Sequence, residues 1–286
     1  MLSNNWKEYK IIDTGDKEKL EDWNGVILRR PDPMAIWPKT DETLWYKADA
    51  TYLRSKDGGG HWEYQKKVPE FWHINYQGLK FKVSPTNFKH TGIFPEQAYN
   101  WDLIMEKVKE HGNAKVLNMF AYTGCATVAA SSAGAKEVVH VDASKGMIQW
   151  AKENVKLNHL EENFIRFIED DCVKFLKREI RRGRKYDLII MDPPSYGRGP
   201  SGEMFRFEDK INELISLSKE LMSDNPIGII VNSYTTGYSK TVLANIMNQH
   251  FRDEKGIISS DELLIPTANE DICLPCGLTT SFFYEN

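Results

Sequence analysis

At 286 residues the chain is long for one domain, and 41% hydrophobic against 27% charged residues marks a folded chain with a sizeable core, not a disordered one. A formal net charge of −4 excludes a strongly basic nucleic-acid binder overall and leaves room for a local basic face. No apolar run approaches the ~20 residues that span a bilayer, MLSNNWKEYK offers no apolar stretch for a signal peptide, and four cysteines are too few for a disulfide framework, so a cytoplasmic protein is expected.

Composition shifts near residue 90. Before it lie six of the eight tryptophans (Trp6, Trp23, Trp37, Trp45, Trp62 and Trp72) and short alternating runs such as HWEYQ and LKFKV, punctuated by KDGGG and prolines. Short runs between turn residues predict antiparallel strands and hairpins, so residues 1–90 read as a small β-rich module, a candidate for substrate recognition. Residues 91–286 change pattern. The apolar runs AKVLNMFA, KEVVHVDA, NFIRFI, YDLIIMD and IGIIVNS alternate with helical stretches such as SKGMIQWAKENVKLNHL and RFEDKINELISLSKELM. Continuous apolar strands alternating with helices predict an α/β domain whose parallel sheet is covered on both faces. The C-terminal LTTSFFYE reads as a final edge strand.

In such a sheet a ligand binds beyond the carboxyl ends of the strands, near the point where the strand order reverses. The first strand ends in NMFAYTGCAT, a turn in which Gly124 lets a ligand approach the backbone and after which a helix points its N-terminus at that ligand. The second ends at Asp142, about 20 residues after the glycine, where an acid can accept hydrogen bonds from the two hydroxyls of a ribose. Capping of the helix that begins near Ser144 is the competing role for Asp142. The third ends in EDDC, where Asp171 either meets an adenine amine or caps a helix.

These stretches, with TGIFPEQ upstream, VDASKGMIQWAKENVKLN and DPPSYGRG, resemble the class I S-adenosylmethionine-dependent methyltransferases. More narrowly they are similar to the 23S ribosomal RNA large-subunit methyltransferases related to the cytosine-C5 and guanine-N7 enzymes. The resemblance runs from about Gly92 to the C-terminus. It implies a Rossmann-like methyltransferase fold with a seven-stranded, mostly parallel sheet, S-adenosylmethionine as cofactor and RNA as substrate. By the same resemblance Gln97 holds the methionine end of the cofactor, Tyr122, Thr123 and Gly124 line it, Asp142 binds the ribose, Asp171 the adenine, and Asp192 sits beside the methyl group. Asn118, Phe120, Ala143, Ser144 and Cys172 complete the cofactor-binding set. Asn118 stands where the family usually has aspartate, and residues 1–90 do not show the family's usual RNA-binding appendage.

DPPSY closes the fourth strand. Pro193 and Pro194 fix the backbone and donate no hydrogen bonds, leaving rigidly aimed carbonyls. With Asp192 these can accept from a planar amine, while Tyr196 offers a face on which a flipped base can stack; a strand-ending turn with a buried tyrosine is the alternative. GRGPSGEMFRF then reads as a mobile lid with glycine hinges, and Arg198 and Arg206 as phosphate contacts. Carbon-5 methylation of a pyrimidine needs a cysteine after the fifth strand in the related cytosine enzymes, and here that strand runs into VNSYTTGYS, which argues for transfer to nitrogen. Cys273 and Cys276 in CLPC lack a second ligand pair for zinc and read as buried thiols. The cations of KFLKREIRRGRK read as a solvated helix face in preference to an RNA patch. Two rivals remain: a methyltransferase for a small molecule or protein, and a non-catalytic RNA-binding relative. The oligomeric state is open, with a homodimer as one candidate.

Overall fold

The computed structural model describes residues 1–55, 59–86, 89–199, 202–235, 237–269 and 271–285. The chain divides into two compact units, Met1–Tyr99 with Leu263–Cys276 and Asn100–Glu262 with Gly277–Asn286. The composition shift at residue 90 carries no sign of the late segment in the first unit. That segment is held by long-range backbone pairing, Ser3 N–H to the Leu264 carbonyl at 2.9 Å and Ala268 N–H to the Ile11 carbonyl at 2.8 Å.

In the first unit, β1 (Tyr9–Gly15), β2 (Glu18–Trp23), β3 (Ile27–Pro31), the short helix α1 (Glu42–Trp45), β4 (Ala50–Arg54) and β5 (Gly60–Tyr64) follow one another. The five strands form one sheet in sequence order, antiparallel except for the β3–β4 pair. A separate antiparallel pair joins β6 (Trp72–Tyr76) to β7 (Leu79–Val83). The hairpin turn Gln77-Gly78 has both residues at positive φ, 47° and 88°, as a two-residue hairpin matched to strand twist requires. Ile11, Leu20, Trp23 and Leu28 are fully buried. Among them lies an ion pair, Arg30 Nε to Glu21 Oε2 at 2.6 Å, to which Tyr9 adds its hydroxyl at 2.8 Å.

The predicted α/β pattern follows, all of it in the second unit but for Ala98, Tyr99 and those parts of the last two strands that fall within Leu263–Cys276. After α2 (Ala98–His111) come β8 (Lys115–Met119), α3 (Cys125–Ser132), β9 (Glu137–Asp142), α4 (Lys145–Leu157), β10 (Ile165–Glu169), α5 (Cys172–Arg181) and β11 (Leu188–Met191). Two short strands, β12 (Tyr196–Arg198) and β13 (Met204–Arg206), precede α6 (Phe207–Glu220), β14 (Gly228–Ser233), α7 (Lys240–Phe251), β15 (Gly256–Pro266) and β16 (Cys273–Tyr284). The main sheet has seven strands in the order β10-β9-β8-β11-β14-β16-β15. The pairs from β10 to β14 are parallel, and β16 runs antiparallel to β14. Alternate residues face opposite sides, so Leu117, Met119, Val139, Val141, Ile189 and Met191 pack with α5, α6 and α7 residues, whereas Val116, Val138, Leu188 and Ile190 pack with Ile104, Val108 and Ala130. Both faces are covered, as the continuous apolar runs predict.

One strand is misplaced by the sequence reading. LTTSFFYE is not at the edge; β16 is inserted between β14 and β15, with Thr279, Thr280, Ser281 and Phe282 buried. The edge position falls to β15, whose first residues alternate between half-buried and exposed, a pattern suited to a strand with one open side.

Gly124 is the N-cap of α3 at φ 81°, and a Cβ added there would stand 2.8 Å from the Ala151 Cβ on α4. Gly134 has a similar φ of 88° with nothing within 4 Å. Gly134→Ala should therefore cost only the left-handed backbone, about 1–2 kcal/mol, and Gly124→Ala should add overpacking for a total of about 2–4 kcal/mol. Urea unfolding of both variants checks this; equal losses would show that α3 and α4 are not in tight contact at this point.

Candidate functional site

The strand order reverses at β8, which has β9 on one side and β11 on the other, with Met119 in register with both Val141 and Met191. The chain ends that follow these strands therefore open side by side. After β8 the backbone takes positive φ at alternate residues, Phe120 at 53°, Tyr122 at 49° and Gly124 at 81°. Left-handed backbone at aromatic residues is strained and persists only where surroundings impose it. Here Ala121 donates to the Val141 carbonyl at 3.1 Å, and Tyr122 N–H donates to Asp142 Oδ2 at 2.8 Å. Asp142 Oδ1 accepts from Ser144 N–H at 2.8 Å. A carboxylate has about four lone-pair sites, so acceptor capacity remains beyond these backbone bonds. Burial raises the Asp142 carboxyl above its ordinary value, against the backbone N–H groups of Ser144, Tyr122 and Ala143, which lower it. Ser144 caps α4 through its own hydroxyl, accepting from Met147 N–H. The cap of α4 is thus Ser144 and not Asp142.

Gly124 does not leave room for a ligand in the direction of a side chain, because Ala151 and His140 occupy it. Beneath the turn lies a buried polar chain that the sequence reading missed. Asn118, 2% exposed, donates from Nδ2 to Thr127 Oγ1 at 3.0 Å, and Thr127 Oγ1 meets His140 Nδ1 at 3.0 Å. Burial pushes His140 down to about 3, so its ring is neutral. Asn154 Nδ2 binds the Thr123 carbonyl at 2.8 Å. The Asn118 side chain is directed into this chain on the α3 side of the sheet, and Thr123 is fully buried beside it. The signal was present as polar residues inside VVHVD and at the start of α3.

Asp171 caps α5, accepting Lys174 N–H on Oδ1 at 2.9 Å. The second oxygen, Oδ2, lies close to Gly199, 3.5 Å from a Cβ built on it. Cys172 is buried behind the cap, and burial raises its thiol well above the usual range although the Phe120 backbone N–H pulls the other way. Burial likewise pushes Cys125, at the start of α3, up to about 12. Ala143 lies between Asp142 and Ser144, half-buried. Gln97 belongs to the first unit, where it closes the short 3-10 helix Pro95–Gln97 and is buried.

Asp192 follows β11, its N–H directed to the Met119 carbonyl at 3.4 Å. Pro193 is buried and Pro194 exposed. The stretch expected as a lid is instead an antiparallel ribbon pairing Tyr196 with Arg206, Gly197 with Phe205 and Arg198 with Met204. Pro200 and Ser201 lie outside the described residues. Alternation puts Tyr196, Arg198, Met204 and Arg206 on one face, all exposed, and Phe205 on the other. Tyr196 is 52% exposed, its hydroxyl directed to Met204 Sδ at 3.0 Å, so it is not the buried tyrosine of a simple strand-ending turn. Ser195 ties the ribbon's base to the loop after β14, accepting from the Thr235 hydroxyl at 2.9 Å.

Six of the cations in KFLKREIRRGRK are engaged within the second unit, on a face where Lys174, Lys177 and Arg182 stay exposed to solvent. Lys174 pairs with Glu203, Lys177 with Glu213, Arg178 with Asp170, Arg182 with Glu179 and Arg184 with Glu137, while Lys185 donates to the Glu220 carbonyl. Cys273 and Cys276 are half-buried, not fully buried as expected.

The S-adenosylmethionine-dependent methyltransferase family model matches residues 52–238, and the chain belongs to that family. A SAM-dependent methyltransferase from Agrobacterium tumefaciens is 34% identical, with a TM-score of 0.95 over 100% of this chain and 93% of that one. Among curated relatives, the ribosomal RNA large subunit methyltransferase K/L of Shewanella sp. strain MR-4 is 34% identical over 221 residues, 73% of this chain and 28% of the relative. That of Shewanella baltica strain OS195 is 37% identical over 158 residues, 54% of this chain and 21% of the relative. The chain thus spans less than a third of these relatives' length. The acceptor geometry of Asp142, with both oxygens aimed by backbone N–H groups beside a fixed turn, suits the ribose of the family's cofactor.

Asp142→Asn should lower affinity for S-adenosylhomocysteine by about 10- to 100-fold, since an amide cannot keep both backbone donors and accept from ribose hydroxyls, bonds to a charged acceptor being worth roughly 1.5–3 kcal/mol. Because the ionised carboxylate is the binding form and burial raises its titration, affinity should be level at neutral pH and fall on acidification at a pH above the ordinary aspartate value. Calorimetry across pH reads both effects; a pH-independent affinity lost in neither condition would remove Asp142 from the site.

Proposed function

We propose that this chain transfers the methyl group of S-adenosylmethionine to a nitrogen of a nucleobase in RNA, with ribosomal RNA as the substrate class. The observation that carries the reading is the exposed Tyr196 a few residues past Asp192 at the strand-order reversal, on a ribbon face shared with Arg198 and Arg206. An aromatic face flanked by two guanidinium groups suits an unstacked base with its neighbouring phosphates. The curated relatives named as ribosomal RNA methyltransferases support the choice of RNA over a small molecule or protein. Among the described residues no helix is long and apolar enough to cross a membrane, which is compatible with work in the cytoplasm.

When bound, S-adenosylmethionine supplies an electrophilic methyl group on a sulfonium centre. In this reading Asp142 would accept from the ribose and Asp171 from the adenine amine, and the turn at residues 120–124 would line the cofactor. Asp192, with the carbonyls that the rigid Pro193-Pro194 pair leaves free, would accept from an N–H of the base, direct the nitrogen lone pair at the methyl carbon and take the proton that the nitrogen sheds as the C–S bond breaks and S-adenosylhomocysteine leaves. Tyr196 fixes the plane of the base by stacking. Holding the reacting atoms in line accounts for the catalysis without a covalent intermediate on the protein.

The thiols support nitrogen over carbon as the acceptor. Carbon methylation of a pyrimidine needs a thiolate at the ring, and β14 ends in the buried Asn232 and Ser233, with Asn232 Oδ1 accepting from Asn100 and Thr279. Cys125 and Cys172 are kept as thiols by burial.

Labelled methyl transfer to RNA, followed by nuclease digestion and nucleoside mass spectrometry, should reveal an N-methylated base. Asp192→Asn should slow single-turnover transfer on the order of 100-fold at unchanged cofactor affinity, and Tyr196→Ala should weaken RNA binding by roughly 1–3 kcal/mol. A carbon-methylated base, or full activity in both variants, would overturn the assignment.

A further inference from the structure

The ribbon that presents Tyr196 has an underside, and it meets both turns to which the cofactor is assigned. Phe205, 8% exposed, packs its ring against Phe120 at 5.2 Å between centroids, and Phe120 is one of the strained residues of the turn after β8. Toward its tip the ribbon closes with Gly199 N–H on the Glu203 carbonyl at 2.8 Å. The Glu203 carboxylate pairs with Lys174 in the first turn of α5, the helix that Asp171 caps. A Cβ built on Gly199 would stand 2.5 Å from Glu203 Oε2 and 3.5 Å from Asp171 Oδ2, so the ribbon is seated against Asp171 itself. Its base is fixed independently, by Phe207 N–H on the Ser195 carbonyl at 3.1 Å and by Thr235 on the Ser195 hydroxyl.

We infer that Phe205 and Glu203 are positioning residues that couple cofactor binding to RNA binding. The inference rests on the proposed reading of the site. The adenosine end, resting on the ring of Phe120 and on the Asp171 carboxylate, sets the two side chains against which the ribbon is seated, and with it the plane of Tyr196 and the spread of Arg198 and Arg206. Because both contacts lie on the face opposite Tyr196, neither side chain needs to touch RNA. Coupling of this kind is reciprocal: whatever factor the cofactor adds to RNA affinity, RNA adds to cofactor affinity. Of the two contacts, the aromatic pair of buried Phe205 and half-buried Phe120 should carry more than the Lys174–Glu203 pair, whose members are 57% and 30% exposed and therefore well screened by solvent.

The test is a binding cycle. The affinity of a short single-stranded RNA of mixed sequence is measured with and without saturating S-adenosylhomocysteine, and the affinity of S-adenosylhomocysteine with and without the RNA. In the unaltered chain each should tighten the other by about 5-fold or more. Phe205→Ala should bring the factor close to one while leaving the separate affinities within a few-fold, and Phe205→Leu, which keeps an apolar side chain on Phe120, should retain most of it. Glu203→Lys should reduce the factor and the exchanged pair Lys174→Glu with Glu203→Lys should restore it; this exposed pair decides the matter should Phe205→Ala fail to fold. Independent binding of the two ligands to the unaltered chain, or an undiminished factor in both Phe205→Ala and Glu203→Lys, would overturn the inference while leaving the methyltransferase reading intact. Absence of any S-adenosylhomocysteine binding would instead overturn that reading, and the inference with it.

Discussion

The parallel pairing of β8 with both β9 and β11, Met119 opposite Val141 and Met191, is the constraint on which the rest of the site depends. Because the sequence leaves the sheet to one side after β8 and returns on the other at β11, three chain ends emerge together at the reversal of strand order. Burial on both faces leaves no freedom in this register, since a slip of one residue would turn Leu117, Met119, Ile189 and Met191 away from the core they share. A turn, an acid and a double proline that are far apart in the chain are therefore held as neighbours by hydrophobic packing, before any polar contact contributes.

Polar contacts then set the detail. Asp142 is a partly buried carboxylate whose two oxygens are aimed by Tyr122 and Ser144 N–H groups, and the same Tyr122 N–H holds the turn in its left-handed course. Turn and acid thus fix each other. Below them the neutral chain Asn118–Thr127–His140 pairs Asn118 Nδ2, Thr127 Oγ1 and His140 Nδ1, which the sheet would otherwise bury unpaired. Asn118 in place of the family's usual aspartate keeps this interior free of charge next to a histidine that burial holds neutral.

Much of the second unit was legible because its strands are continuous apolar runs ending in Asn118, Asp142 and Asp192, and because period and length separate them from the helices. The acids at strand ends could be read from spacing alone. The left-handed backbone at Phe120 and Tyr122 could not, since neither residue type signals it and only the pairing with β9 and Asp142 imposes it. The ribbon was read as a lid because strands of three residues leave too short an alternation to recognise. The membership of Leu263–Cys276 in the first unit depends on partners far away in the chain, such as Leu2 for Leu264, and the order of the last two strands on the pairing of β16 with β14, Phe282 opposite Ile229. Composition could not show the partners of the basic run after Asp171: Glu137, Glu203 and Glu213 come from other segments and meet it only once the chain is folded.

In the proposed reading the strand-order reversal holds the cofactor, and its methyl end faces the ribbon that carries Tyr196. The most direct measurement is a crystal structure of the chain with S-adenosylhomocysteine. The account predicts the ribose hydroxyls on the Asp142 carboxylate, the adenine beside Asp171, and the sulfur close to Asp192 at the root of the Tyr196 ribbon. A ribose on any other acid, or a sulfur turned away from Asp192, would contradict it.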